Sequence, residues 1–178
     1  MTVSSEAVVV LSRALDQAGD VLAAVHPDQL PHPTPCPDWD VAQLIGHLVD
    51  APVNFLEMAR GRAPDRSAAP RRATGDWAAA FRSNADDLIH SWHQVGEAAT
   101  GQVDWQTAEI AVHTWDLARA TGQSPRLLPE VAERGLAFMS AMLTPENRGL
   151  AFASAVPAPD DAQVYDRLAA FAGRNLGA

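Results

Sequence analysis

The feature that most constrains the fold is a single period, repeated. Apolar residues recur at three- and four-residue steps in segment after segment, and no alternating strand pattern of useful length occurs. Over about residues 3 to 25 the stripe is Leu11, Leu15, Ala18, Leu22 and Val25. Over about 40 to 60 it is Val41, Leu44, Ile45, Leu48, Pro52 and Phe55. Over about 75 to 95 it is Trp77, Phe81, Leu88, Trp92 and Val95. A fourth helix is expected over about 103 to 121, stopped by Gly122. A fifth runs from Pro129, a favourable first-turn residue, to about Leu143, and a short last one covers about 161 to 173.

Between these segments the chain is punctuated by proline. "HPDQLPHPTPCPDWD" holds five prolines in fifteen residues, so it crosses as a loop. Asp38 or Asp40 then caps the second helix. Pro52 has no N–H for the Leu48 carbonyl and is expected to kink that helix. "GRAPDRSAAPRRATG" is a second loop, and "FASAVPAPDDAQ" is an irregular tail. Helices of roughly 20 residues, each about 30 Å long, joined by loops, make an all-α bundle, expected as one domain over residues 1–178.

Composition narrows the function classes. Apolar residues make up 47%, enough for a core. The net charge of −9 repels phosphate backbones and anionic lipid, which argues against nucleic-acid and membrane partners. No apolar run is long enough for a membrane span, and the first residues lack a basic start and a cleavage site. The single cysteine, Cys36, excludes an internal disulfide and fits a reducing cytoplasm. All 13 basic residues are Arg, as in a GC-rich coding bias.

The chemistry gathers on the fourth helix, "AEIAVHTWDLARATG". At roughly 100° per residue Glu109, His113, Asp116 and Ala120 share one sector, and most other positions are apolar. Burying an ionised glutamate alone costs several kcal/mol. Residues at i and i+4 have Cβ atoms about 6 Å apart, so one divalent cation can satisfy Glu109 and His113 together. The second helix offers a third ligand in "LIGHLVD", where His47 flanks the apolar stripe with Asn54 and Met58 beside it. Two histidines and a glutamate from two helices leave coordination positions open, the pattern of a catalytic metal site. Asp50 and Asp116 each follow a histidine by three residues and are candidates to orient it.

Each of these residues also has an ordinary reading. Glu109 can pair with a buried Arg. His47 can be a satisfied core or surface histidine. Asp116 can pair with Arg119 on the helix surface, and Asp50 can be solvated. His90 and His93 fall on a wet face, and His26 and His32 lie in or beside the first loop. Cys36, between prolines, can be read as a thiolate ligand or nucleophile, but no basic neighbour would lower its pKa, so the packing role is favoured; Trp39 and Trp115 read as core or cleft walls.

"PTPCPDWDVAQLIGHLVD" and "AVHTWDLARATGQ" resemble the metal-binding domain family of mycothiol-dependent maleylpyruvate isomerase, within the DinB-like superfamily, and the tail resembles that of short actinobacterial members. The resemblance covers most of the chain. It implies an all-α, DinB-like antiparallel four-helix bundle with an additional C-terminal helix and an irregular tail, often as a homodimer. It implies a divalent metal, usually zinc, on His47, Glu109 and His113, with mycothiol as thiol cosubstrate. The isomerases carry a further C-terminal domain for their dicarboxylate substrate, for which 178 residues leave little room.

The expected function is therefore metal-dependent activation of a low-molecular-weight thiol for transfer to, or isomerisation of, a small electrophile. Asn54 and Arg119 are candidates for substrate contact. A metal-dependent hydrolase on the same ligands, and a non-catalytic bundle that binds metal or a small molecule, are the alternatives.

Overall fold

The computed structural model describes residues 3–62, 69–94, 100–148 and 152–177. These form six α-helices: α1 (Val3–Ala23), α2 (Val41–Ala59), α3 (Trp77–Gln94), α4 (Thr100–Ala120), α5 (Pro129–Met142) and α6 (Val164–Phe171). A 3₁₀ turn, Pro27–Gln29, follows α1. Among the described residues there is no strand, only an isolated bridge between Pro33 and Asp40. The architecture is the DinB-like helical bundle with an added C-terminal helix. Val95 and part of the second Pro-rich loop (63–68) lie outside the described residues.

The stripes read from the sequence face the core. Leu11, Leu15, Ala18, Leu22, Leu44, Ile45, Leu48, Phe55, Phe81, Leu88 and Trp92 are all buried. Trp77 is half-buried, and its indole N–H donates to the Leu22 carbonyl at 2.9 Å, tying α3 to the end of α1. Helix α4 is the hub: it packs on α1, α2, α5 and α6. From Gln106 to Ala118 every residue except Glu109 is buried. A helix enclosed on all sides must satisfy its polar groups internally. Gln106 accepts from the Trp92 indole at 2.8 Å, and the hydroxyls of Thr107 and Thr114 donate back one turn to Val103 and Ile110.

The ends of the helices follow local chemistry. Asp40, not Asp38, caps α2: its carboxylate accepts from the Gln43 N–H at 2.9 Å, and the Gln43 side chain accepts from the Asp40 N–H, a reciprocal capping box. Asp38 instead takes a left-handed turn at φ 69°. Helix α4 stops as expected at Gly122, φ 65°, where the Gln123 N–H reaches back to the Ala118 carbonyl. Helix α6 begins at Val164, later than expected, because Pro159 first closes a turn with Ala162. Helix α2 runs unbroken through the buried Pro52.

After the second loop the chain forms a strap across α2. Ala73 donates its N–H to the Ala42 carbonyl at 2.8 Å, and Arg71 and Arg72 bind Asp50 and Asp40. The strap lies so close that a Cβ on Gly46 would stand 1.7 Å from the Arg71 carbonyl oxygen. Gly46→Ala is therefore expected to displace the strap and cost about 1–3 kcal/mol, read as a lower urea midpoint with an unchanged slope.

Candidate metal centre

Helix α4 carries Glu109 and His113 one turn apart, and α2 brings His47 against them from across the interface. The His47 Nε2 lies 3.2 Å from Glu109 Oε1, and the His113 Nε2 lies 3.4 Å from the same oxygen. The two imidazole rings meet edge to face at 4.6 Å between centroids. Two donors each about 2.0–2.1 Å from a tetrahedral zinc stand about 3.3–3.4 Å apart, so each nitrogen stands from the shared oxygen at a spacing that a cation could bridge, and all three atoms lie within 4.8 Å of one another. His47 is the most accessible of the three side chains at 23% exposure, followed by Glu109 at 15% and His113 at 6%. The centre therefore opens on the α2 side.

The far side of His113 is closed by a second acid. Its Nδ1 lies 3.1 Å from Asp116 Oδ2. An ionised carboxylate can only accept, so Nδ1 carries the proton and donates it, which leaves Nε2 as the ligand atom. Asp116 is fully buried and bound in turn by Arg174, whose Nε and Nη2 reach its two oxygens at 3.0–3.3 Å. Burial pulls the His113 pKa down, but the bonds to Asp116 and Glu109 outweigh it and hold the imidazole up at about 9. Burial likewise pushes Glu109 up, yet the two histidines keep it well below the usual carboxylate range. Glu109 Oε1 and the two Nε2 atoms are the atoms a divalent cation would bind in exchange for protons.

The Pro-rich loop supplies a wall. Trp39 packs at a tilt against His47 at 4.8 Å and against His113 at 5.8 Å between ring centroids. The loop is fixed by bonds from the Thr34 hydroxyl to the Trp39 and Cys36 carbonyls and by N–H donation from Val41 to His32. Cys36 also approaches: its sulfur, His113 and Asp116 offer ligand-type atoms within 4.8 Å of one another. Burial pushes the Cys36 thiol up to about 12, against the pull of Arg174. Arg174 holds both oxygens of Asp116, whereas Glu109 meets only the two histidines among the described residues, so His47, Glu109 and His113 are the better-suited set for a cation.

The other candidates lie as follows. Asp50 was expected to orient His47; instead both its oxygens go to Arg71, at 2.6 and 3.1 Å, because the strap passes over that turn of α2. Asp116 does not pair with Arg119, which would place both on the surface; it faces inward to His113. Arg119 is exposed, lies 5.5 Å from the Trp115 ring and donates to the Leu176 carbonyl at 2.9 Å. Asn54 is half-buried on α2, two turns beyond His47 on the same face. His26, His32, His90 and His93 are exposed. Arg174 escaped the sequence reading; the one local signal was an arginine directly after Gly173 at the end of an apolar helix.

The bundle brings together three side chains that could hold a metal ion. The chain belongs to the mycothiol maleylpyruvate isomerase N-terminal domain family, which it matches over residues 11–127. Two uncharacterized proteins of Mycobacterium tuberculosis, from strains CDC 1551 and H37Rv, are each 34% identical to it over 176 residues, covering 92% of this chain and 95% of theirs. No solved structure matches it. No helix among the described residues is long and apolar enough to cross a membrane.

Proposed function

We propose that the protein is an enzyme in which a divalent cation, with zinc best suited to two imidazoles and a carboxylate, activates a low-molecular-weight thiol such as mycothiol for transfer to, or isomerisation of, a small electrophile. The observation that carries this reading is the convergence of two Nε2 atoms from different helices on one glutamate oxygen. The family's tie to mycothiol supports the choice of thiol. A bound cation would favour thiolate over thiol at neutral pH.

The protein's own groups prepare that chemistry. Glu109 places one negative charge at the centre, while Arg174 cancels the charge of Asp116 behind it. Against a divalent cation this leaves a net charge that one thiolate would neutralise. Asp116 fixes the His113 tautomer and Trp39 walls both rings, while the greater exposure of His47 marks the side left for approach. Conjugate addition forms a carbon–sulfur bond with the sulfur lone pair, and the proton given up by the thiol returns to the adjacent carbon. Elimination after bond rotation would release the isomer and the free thiol.

The test is metal analysis of the protein as purified, beside consumption of mycothiol in the presence of an electrophilic alkene. The expected result is stoichiometric zinc, with consumption stopped by chelation and restored by zinc. Protein that is folded yet neither carries nor takes up zinc would overturn the reading. Bound zinc with ester hydrolysis in place of thiol consumption would replace it with the hydrolase.

A further inference from the structure

The mouth of the centre is formed by α2 and α4, but its back wall comes from the last helix of the chain, well beyond the matched residues 11–127. Helix α6 ends in a left-handed glycine, Gly173 at φ 85°. The Arg174 N–H then bonds back to the Ala169 carbonyl at 2.9 Å, and Gly173 to Ala170 at 3.0 Å, which is the six-to-one closure that reverses a chain at a helix end. A Cβ on Gly173 would meet Ala153 at 2.7 Å, so the turn is also pressed against the tail that precedes α6. This reversal sends the Arg174 side chain inward, where only 3% of it remains exposed.

Inside the bundle Arg174 makes three well-formed bonds. Nε and Nη2 grip Asp116 as a fork, and Nη1 donates to the Ala172 carbonyl at 2.9 Å. The fork fixes the plane of the carboxylate, and the carboxylate fixes the ring of His113 at 3.1 Å. The relay is therefore one rigid line from the α6 turn to Glu109: guanidinium, carboxylate, imidazole, carboxylate. At 3% exposure the guanidinium is not presented to a substrate, so its part is to position.

We infer that Arg174 is a positioning residue of the metal centre, setting metal affinity and coordination geometry through Asp116 and His113. This rests on the metal site proposed above. A lysine there would keep the charge but lose the fork.

The experiment is titration of metal-free wild type, Arg174→Met, Arg174→Lys and a Glu109→Gln control with Zn²⁺ in competition with a chelator, and with Co²⁺ followed by its visible absorption. Arg174→Met is expected to weaken Zn²⁺ binding about 10–100-fold and to change the Co²⁺ band, with Arg174→Lys in between. Wild-type affinity and an unchanged band in Arg174→Met would overturn the inference alone. If Arg174→Met does not fold, the same result in Arg174→Lys overturns it. Failure of wild type itself to bind Zn²⁺ overturns the metal site, and this inference with it.

Discussion

Glu109→Gln protein is expected to emerge from purification without stoichiometric metal and to bind zinc at least about 100-fold more weakly than wild type, beyond the range that changes outside the ligand set reach. The substitution preserves shape and removes one charge. That charge is the only anionic ligand of the proposed set, since histidine binds a metal as the neutral imidazole. An amide oxygen can still accept from one imidazole, so the bundle should remain folded, as circular dichroism would check. Asp50→Asn is the informative comparison. Its carboxylate is held by Arg71 outside the centre, so its zinc content should equal that of wild type. Full zinc occupancy in Glu109→Gln would remove Glu109 from the ligand set. Loss of zinc in Asp50→Asn would mean that the strap, and not the carboxylate at 109, governs the site.

The contrast between Glu109 and Asp50 also shows what a sequence can disclose. The Glu109–His113 relation is legible because helix geometry fixes i and i+4 neighbours before any tertiary contact forms. The stripes of α1, α2 and α3 are legible because each helix buries one face. Helix α4 is different: it is enclosed on almost every side, so its apolar residues show no clear stripe, and its few polar ones stand out for that reason. Asp116 could be placed beside His113 by the same local rule. Its other partner could not, because Arg174 lies 58 residues away and arrives through the turn at Gly173, which no periodicity encodes. Asp50 misled in the same way: its spacing from His47 was right, but the strap residue Arg71 captured it. His47 lies between the two cases. Its position at the edge of the α2 stripe indicated a cleft, while its closure on Glu109 depends on how α2 packs against α4.

The buried pair at the back of the centre makes the largest stability prediction. Asp116→Ala should destabilise the metal-free protein by about 3–5 kcal/mol, because it leaves the Arg174 guanidinium buried without a counter-charge. Asp116 is 0% and Arg174 3% exposed, so neither can recover solvation without local opening. The double variant Asp116→Leu with Arg174→Met replaces the pair by apolar groups of similar volume and should regain most of that loss. Urea unfolding with chelator present reads these values free of any contribution from metal binding. The double variant should nonetheless bind zinc weakly, because nothing then holds the Nδ1 proton of His113. Restored stability with weakened metal binding would separate the two roles of the pair: it is dispensable for the fold when both members go, and required by the centre. If Asp116→Ala alone cost less than about 1 kcal/mol, the value of an exposed ion pair, the guanidinium must reach solvent once released, and the rigid line from α6 to His113 would not exist.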